Sequence, residues 1–395
     1  MTGADTAVLP RRIGSRAARH EFLAERAERI YDEITDGYRK RLFLDEIVYT
    51  VAERWPGLAP TREEIAEERA RRQGDKEGLE VDQGILLSHL LADQRAGTHL
   101  LESQLRPSEL ARRLLPEFQA RGEVQLETVH LERWDGIGYL TIANHEFLNA
   151  EDDRLGRDME AAIDLVLLDD EIEVGVVRGG VMMHERYAGK RVFSAGINLT
   201  HLYHGQISFV NFVLGREVGY LNKIFRGLLL DEEPVEKPWI AAVDSFAIGG
   251  GLQLLLVFDH VIACDDSYVS LPALREGIIP GMANLRLTRI VGARQARRLL
   301  LGGARLPAKG PDALTWCDEV VPAHQVEDSI AAAAKQLRMS AVTANRRMVR
   351  LAEEPLETFR RYAAPFALEQ VQRMYSADVV ASLERAWIRR RAARR

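Results

Sequence analysis

The sequence predicts an α/β domain, with helices packed on a sheet, flanked by two helical segments. Residues 1–122 carry helical patterns and no strand-like run of useful length. Residues 123–325 alternate strand-like apolar runs with amphipathic helical runs, a pattern that places helices on a sheet. From 326 to 395 the pattern is helical again. We therefore expect an all-helical N-terminal domain, an α/β core and a C-terminal helical segment with these boundaries.

Helices of the first segment are indicated by their start signals and their charge spacing. The stretch "PTREEIAEERARR" opens with Thr and Glu at the spacing of a capping box, which predicts a helix start. Glu67 and Arg71, like Glu68 and Arg72, lie four residues apart and predict that this helix continues with a solvated face. The runs "ILLSHLLADQRAGTHLLESQL" and "SELARRLLPEFQARG" continue the helical pattern, with breaks at Pro and Gly.

Four stretches of the core segment predict five strands. "VHLERWDGIGYLTIAN" predicts two strands about a turn at Asp135 and Gly136, and "EAAIDLVLLDDEIEVGVVRGG" predicts a helix that leads into a strand. "KPWIAAVDSFA" and "HVIACDDSYVSLP" read as buried strands. The apolar face of the predicted helix is formed by Leu155, Met159, Ile163 and Val166.

Composition excludes several classes of protein. The 395 residues are 46% apolar and 28% charged, as in ordinary globular proteins. A net charge of −6 gives no basis for nucleic-acid binding, and no apolar run of about 18 residues predicts a membrane span. Two cysteines, Cys264 and Cys317, provide no disulfide framework, and the first residues lack the apolar segment of a secretion signal. We therefore expect a cytoplasmic protein.

Three consecutive glycines in "SFAIGGGLQLLLVFDH", residues 245–260, precede an apolar helical run. Each glycine inside a helix costs roughly 1 kcal/mol relative to alanine, so three together need a reason. A helix N-terminus presents free N–H groups, and without a Cβ an oxygen atom can approach them, as in an oxyanion hole. Close packing of backbone against backbone is the alternative.

A second segment, "RVFSAGINLTHL" at residues 191–202, also runs from a strand through small residues into a helix. At this point the sequence resembles the crotonase (enoyl-CoA hydratase/isomerase) superfamily. "FSAGINL", "FAIGGGLQLLLVFDHVIA" and "LPALREGIIPGMANLRLTRIVG" resemble three signatures of that superfamily, in the same order. The resemblance covers residues 123–325, and it implies a crotonase-like core of ββα repeats.

The resemblance also implies a site and an assembly. Two backbone N–H groups, those of Ile197 and Gly250, would bind the thioester oxygen of an acyl-CoA and stabilise an enolate. Lys190 and Arg191, just before the first turn, are candidates for CoA phosphate contacts, with solvated surface as the alternative. Members of the superfamily commonly form trimers or dimers of trimers, which implies a homo-oligomer here, a trimer or a hexamer.

Gln253 and Ala273 separate this chain from the hydratases, which carry Glu at both matching positions. Neither an amide nor a methyl group can act as a general acid or base near neutral pH, so hydration lacks both of its acid–base agents. The combination resembles a cofactor-independent dioxygenase branch of the superfamily. Glu151, Arg216 and Gln253 match polar residues that line the substrate pocket of that branch.

This second resemblance implies a reaction without metal or flavin. Its substrates would be O2 and an arylacetyl-CoA, 3,5-dihydroxyphenylacetyl-CoA, and its products the arylglyoxylate and CoA, in the supply of dihydroxyphenylglycine for antibiotics. The electron-rich enolate would pass an electron to O2, and an apolar chamber would hold the gas. We expect Ile197 and the run "LQLLL" to line that chamber.

Spacing leaves several residue roles open. It does not decide whether Glu151 or Asp152 points inward, and Glu151 also fits a charge at a helix start. Arg216 also fits a surface ion pair with its neighbour Glu217. Gln253 also fits a core amide. Glu276 is a possible base, for which we favour a structural role.

Alternative functions follow from the same residues. Another crotonase-type isomerase, decarboxylase or thioesterase would keep the oxyanion hole and use a different base. A non-catalytic acyl-CoA-binding subunit would also tolerate the loss of both hydratase carboxylates. His201 and His204 are three residues apart, a weak metal signal without a third ligand, so we expect no metal site.

Overall fold

A computed structural model describes residues 14–183 and 185–393, with side chains described as far as residue 387. The first segment is helical, and its described part has no strand before residue 123. Its helices are α1 (Arg16–Ile34), α2 (Leu44–Arg54), α3 (Arg62–Arg69), α4 (Glu80–Ala92), α5 (Gln94–Ser103) and α6 (Glu109–Arg121).

The predicted capping box is confirmed at the start of α3. The Thr61 hydroxyl accepts a hydrogen bond from the Glu64 N–H at 3.2 Å, and the Thr61 N–H donates to Glu64 Oε2 at 2.8 Å. Two of the orphan N–H groups at the helix end are thereby satisfied.

The prediction that this helix continues through two further Glu/Arg pairs is wrong. The helix ends at Arg69, and the Glu68 carboxylate accepts hydrogen bonds from the N–H groups of Gly78 and Leu79 instead. Arg71 pairs with Glu77 at 2.9 Å. Local pairs of this kind contribute only a few tenths of a kcal/mol, so the buried turn that Glu68 holds decides the outcome.

The remaining elements follow in chain order. The first group is β1 (Glu123–Gln125), β2 (Val129–Trp134), β3 (Ile137–Ile142), α7 (Asp153–Leu168), β4 (Val174–Gly179), α8 (Leu199–Tyr203), a π-helix (Phe209–Leu214), α9 (Gly215–Val218), α10 (Tyr220–Arg226), β5 (Leu228–Leu230), β6 (Glu233–Val235), β7 (Trp239–Val243) and β8 (Phe246–Ile248). The second group is α11 (Gly250–Leu255), β9 (His260–Cys264), β10 (Tyr268–Ser270), α12 (Ala273–Glu276), α13 (Ala283–Ile290), α14 (Ala293–Gly302), β11 (Arg305–Pro307), β12 (Glu319–Val321), α15 (Val326–Leu337), α16 (Val342–Glu353), α17 (Leu356–Met374) and α18 (Ala377–Ala393).

Seven strands form the main sheet, in the order β1-β2-β3-β4-β7-β9-β12. The pairs from β3 to β12 are parallel, whereas β1, β2 and β3 pair antiparallel. The predicted turn between β2 and β3 places Asp135 and Gly136 at φ +46° and +68°, the values that a two-residue hairpin turn requires. Parallel strands joined by helices confirm the α/β class of this segment.

A smaller sheet of β8, β10 and β11 carries the glycine-rich turn. Strand β8 pairs parallel with β10, and α11 begins two residues after β8 ends. All residues of α11 are buried and its leucines belong to the hydrophobic core, so the turn between β8 and α11 lies inside the protein.

The N-terminal helices share one hydrophobic core with the C-terminal helix α17. Leu86 and Leu90 of α4 lie in the same buried cluster as Phe359 and Val371 of α17 and Phe209 of the π-helix. The division of the chain at residues 122 and 325 remains a prediction. In the structure, helices of the first and the last segment pack together in one hydrophobic core. Across the described residues, no helix is both long and apolar enough to cross a membrane.

Candidate active site

The two glycine-rich turns lie side by side. Ser194 pairs with Ala247 as a parallel bridge. The Ser194 N–H donates to the Phe246 carbonyl at 3.3 Å, and the Ile248 N–H donates to the Ser194 carbonyl at 2.9 Å. Three residues beyond the bridged pair, both segments turn, so Ile197 and Gly250 occupy equivalent positions in register.

Two glycines allow the turns to touch. Gly196 and Gly249 have φ values of +83° and +55°, which side chains rarely adopt. A Cβ on Gly196 would lie 3.4 Å from the Gly249 Cα. Within the described residues, no group accepts a hydrogen bond from the N–H of Ile197 or of Gly250. Two unpaired N–H groups in register have the arrangement of an oxyanion hole.

Close approach by other protein groups explains the last two glycines of the triplet. A Cβ on Gly250 would lie 2.2 Å from Oε1 of Glu151, and a Cβ on Gly251 would lie 2.8 Å from the Cβ of Ser194. The space beside Gly250 is therefore filled by the Glu151 carboxylate. The close-packing alternative thus holds at Gly251, while Gly249 is required by its backbone conformation.

The five residues predicted to be catalytic all line one pocket. The two positions that carry Glu in hydratases also face it, as Gln253 and Ala273. The five predicted residues in its wall are Glu151, Ile197, Arg216, Gly250 and Gln253.

The polar side of the pocket is organised by Arg216. Its Nη2 lies 2.6 Å from Oε2 of Glu151, and its Nη1 lies 2.7 Å from Oε1 of Glu217. The same Nη1 donates to Oε1 of Gln253 at 2.7 Å, and Nε donates to the Tyr220 hydroxyl at 3.2 Å. One guanidinium thus fixes four side chains, as its planar fork of donors permits.

Burial and the neighbouring charges act in opposite directions on the pKa of Arg216. Burial disfavours the charge on Arg216, but the Glu151 carboxylate, with Tyr220 and Glu217, outweighs it and raises the pKa of Arg216 above its usual value. Burial raises the pKa of Glu217 and of Tyr220. The surface interpretation of the Arg216–Glu217 pair is wrong, because the pair forms where Arg216 is only 6% exposed.

Glu151 and the adjacent Asp152 have separate roles. The Asp152 carboxylate accepts hydrogen bonds from the N–H groups of Arg154 and Leu155, both at 3.1 Å, and so caps α7. It also contacts Nδ1 of His201 at 2.9 Å. Glu151 turns into the pocket instead.

Lys190 and Arg191 lie outside the residues that line the pocket. The Lys190 ammonium is exposed and lies 3.5 Å from Asp266. Arg191 donates to the Gly179 carbonyl at 3.2 Å, and burial lowers its pKa. A contact of either residue with CoA phosphates stays a prediction.

The prediction that the run "LQLLL" lines an apolar chamber is wrong for its leucines. Only Gln253 of residues 252–256 lines the pocket, and the leucines belong to the core under the sheet. The apolar wall comes from residues that the sequence analysis did not assign to the site: Phe212, Val213, Ile278, Ile279 and Phe366.

The C-terminal helix α17 also supplies polar support. Gln370 lines the pocket, and its Oε1 accepts a hydrogen bond from the Ile279 N–H at 2.8 Å. Because the two residues are 91 positions apart, no local spacing indicates this contact. Tyr220 was missed as well, although its spacing of four from Arg216 on a helical run was a usable signal.

Comparisons with known proteins agree with this arrangement. The enoyl-CoA hydratase/isomerase family profile matches residues 132–379. The (3,5-dihydroxyphenyl)acetyl-CoA 1,2-dioxygenase of Amycolatopsis orientalis is 54% identical over 369 residues, which cover 92% of this chain and 85% of that protein.

More distant relatives share the core. The short-chain-enoyl-CoA hydratase of Clostridium acetobutylicum is 31% identical over 187 residues, 47% of this chain and 65% of that protein. The crystal structure of enoyl-CoA hydratase from Bacillus halodurans superposes with a TM-score of 0.55 at 21% identity, over 66% of this chain and all of the other. With the paired turns, the profile match and the close relative in agreement, this chain belongs to the enoyl-CoA hydratase/isomerase family.

Proposed function

We propose that this protein is a dioxygenase that converts an arylacetyl-CoA and O2 to an arylglyoxylate and CoA. One observation carries the proposal: the pocket with the paired N–H groups has Gln253 and Ala273 where hydratases have glutamates. The relative from Amycolatopsis orientalis, named (3,5-dihydroxyphenyl)acetyl-CoA 1,2-dioxygenase, supports it and suggests 3,5-dihydroxyphenylacetyl-CoA as the substrate.

The first step forms an enolate. Removal of a proton from the carbon between the thioester and the ring leaves a carbanion that both groups delocalise. Its negative oxygen accepts hydrogen bonds from the N–H groups of Ile197 and Gly250, which are already oriented by the two turns. Donors fixed before the reaction stabilise the developing charge without reorganisation.

The second step uses the enolate as the reductant of O2. One electron passes to O2, the radical pair combines, and a peroxide forms at the α-carbon. Attack of the peroxide on the thioester carbonyl expels CoA as its thiolate. Loss of the remaining α-proton to solvent then accompanies cleavage of the O–O bond, which leaves the α-keto acid. Both atoms of O2 enter the arylglyoxylate, so no further oxidant is needed. We propose that neither metal nor flavin takes part, since the substrate supplies the electrons.

Polar residues beside Gly250 suit an oxygen-rich aryl group. Arg216 is held by Glu151 and Glu217, so its charge is fixed in place and compensated. The Gln253 amide has one oxygen bonded to Arg216, which leaves its NH2 group to donate to a ring hydroxyl. Apolar residues such as Phe212, Ile279 and Phe366 exclude water from the reactive carbanion.

We also propose that the protein is a homo-oligomer, a trimer or a hexamer. Eleven large apolar side chains are exposed in the described part of the chain, and eight of them lie between residues 274 and 351. Large apolar side chains at the surface lose contact with water when a second protomer covers them, which favours association. Light scattering coupled to size-exclusion chromatography gives the mass directly, and a monomer at micromolar concentration would contradict the assembly.

The function is tested with purified, metal-stripped protein in an oxygen electrode. With 3,5-dihydroxyphenylacetyl-CoA we expect oxygen uptake matched one to one by CoA release, unchanged by chelator. With 18O2, both labels should appear in the arylglyoxylate. A label from water in the product would contradict the mechanism.

The alternatives give different results in the same assay. An isomerase, decarboxylase or thioesterase of this family would exchange the α-proton or release CoA without oxygen uptake. A binding subunit would bind the thioester and leave it unchanged.

A further inference from the structure

Three carboxylates line the pocket, and two of them are engaged by other protein groups. Glu151 forms an ion pair with Arg216 at 2.6 Å and accepts a hydrogen bond from the Tyr220 hydroxyl at 3.3 Å. Glu217 lies 2.7 Å from Arg216 and accepts a hydrogen bond from the Met282 N–H at 3.2 Å. Both carboxylate oxygens of Glu151 and both of Glu217 are engaged by protein groups, so neither residue offers an unengaged oxygen to a substrate proton, although burial raises the pKa of Glu217.

Glu276, the third carboxylate, differs in its partners. It is the last residue of α12 and lines the pocket, and within the described residues its side chain has no hydrogen bond and no ion pair. Gly277 follows in a left-handed conformation at φ +80°, which ends the helix at this position. The apolar residues Ile278 and Ile279 line the wall next to it.

No charged group described on the neighbouring elements forms an ion pair with Glu276, and burial alone shifts its pKa. Arg373 of α17 donates to the Gly277 carbonyl at 2.6 Å and pairs with Asp378 of α18. With no counter-charge beside it, Glu276 has its pKa raised to about 7 by burial. A base with a pKa near the working pH is the most effective one. The remaining charged side chains on α12, α14 and the described part of α18 are Arg275, Arg294, Arg297, Arg298, Glu384 and Arg385.

We propose that Glu276 is the general base that removes the α-proton of the substrate, an inference that rests on the proposed function. The α C–H bond breaks, one carboxylate oxygen of Glu276 takes the proton, and the electron pair moves into the enolate. The enolate oxygen is held by the N–H groups of Ile197 and Gly250. Solvent removes the proton from Glu276 and supplies one to the departing CoA thiolate, so each turnover returns the carboxylate to its starting state.

The test separates proton removal from reaction with O2. Without oxygen, the wild-type protein should exchange the α-protons of 3,5-dihydroxyphenylacetyl-CoA in D2O, with a rate that rises with pH through about 7. Glu276→Gln should lower the exchange rate by a factor on the order of 10²–10⁴ and abolish this rise. Glu276→Asp should keep part of the rate and shift the midpoint of the rise.

Controls distinguish a base from a structural residue. Glu353→Gln changes another glutamate whose pKa is raised by burial but which lies outside the pocket, and it should leave exchange unchanged. Binding of a non-reactive thioester analogue should be the same in Glu276→Gln and the wild type. If Glu276→Gln does not fold, the position of the rise in Glu276→Asp still decides the proposal.

Three outcomes would overturn the assignment. If Glu276→Gln exchanged the α-protons at the wild-type rate and with the wild-type pH profile, another group would be the one that takes the proton. Absence of both exchange and oxygen uptake in the wild type would refute the proposed function, and the base along with it. Oxygen uptake by the wild type combined with normal exchange in Glu276→Gln would refute the base alone.

Discussion

Gly250 is the residue at which the backbone of the second turn meets the Glu151 carboxylate. A Cβ at this position would lie 2.2 Å from Oε1 of Glu151, well inside van der Waals contact. Glu151 in turn lies 2.6 Å from Arg216, so any shift of the carboxylate disturbs the whole polar side of the pocket. Because Gly250 has no side chain, its N–H group and the Glu151 carboxylate that pairs with Arg216 can both occupy their positions.

We expect Gly250→Ala to lower kcat/KM by a factor on the order of 10²–10³, the range seen when one oxyanion donor is lost. The matched control is Gly302→Ala, since a Cβ on Gly302 meets nothing within 4 Å. That control should keep full activity and gain stability by roughly 0.5–1 kcal/mol. Steady-state kinetics and thermal melts of both variants give the answer, and a fully active Gly250→Ala would contradict the geometry.

The raised pKa of Glu276 predicts that the stability of the protein depends on pH. Its folded-state pKa of about 7 lies above the ordinary value of 4.5, so the fold favours the protonated form. The contribution of Glu276 to stability is therefore greatest below pH 4.5 and is lost as the pH rises through about 7. Glu276→Gln, neutral at every pH, should be more stable than the wild type at pH 8, by on the order of 1–3 kcal/mol.

Urea denaturation at pH 8 and at pH 4.5 measures this difference. At pH 4.5 the advantage of Glu276→Gln should almost vanish, provided that both proteins fold there. An advantage that is equal at the two pH values would mean that the carboxylate is not desolvated.

At the scale of single residues, resemblance predicted more than spacing did. Glu151, Arg216 and Gln253 were assigned to one pocket because they match a known branch, and the structure places all three there. Spacing does not decide which of Glu151 and Asp152 points into the pocket. The structure decides it, because Asp152 caps α7 while Glu151 pairs with Arg216. A contact across distant segments has no counterpart in the local sequence.

Helix α17 illustrates the same limit at the scale of an element. Its helical pattern was predicted, but its contribution to the site through Phe366 and Gln370 was not. Gln370 accepts the hydrogen bond of the Ile279 N–H and so fixes the loop between α12 and α13. This loop carries the wall of the pocket beside Glu276, and the helix therefore positions residues that it does not adjoin in sequence.

We expect Gln370→Leu to cost about 1 kcal/mol of stability, because the half-buried Ile279 N–H loses its acceptor. Turnover should fall while affinity for a thioester analogue changes little, since the loop shifts without loss of the N–H pair. Gln372→Leu, two residues further along the same helix and exposed, is the control and should match the wild type in both respects. Equal behaviour of the two variants would show that the hydrogen bond is dispensable.

At the scale of the whole molecule, alternation of strands and helices predicted the α/β core, and helical patterns predicted the two flanking segments. The pattern did not predict that the flanking segments pack together, because an amphipathic helix does not specify which apolar surface it covers. In the structure, α4 packs against α17, and a Cβ on Gly84 of α4 would lie 2.4 Å from Cγ1 of Val371. The glycine permits this close approach of two helices.

This packing links the N-terminal segment to the pocket, since α17 carries Gln370 into the pocket wall one residue before Val371. Gly84→Val would force the two helices apart, at a cost of roughly 1–3 kcal/mol for overpacking. We therefore expect both a lower melting temperature and reduced turnover, although Gly84 lines no part of the pocket. Gly302→Val, in open space, serves as the control for the substitution itself. If Gly84→Val lost stability but kept full turnover below its melting temperature, α17 would hold the pocket independently of α4, and the shared core would be structural only.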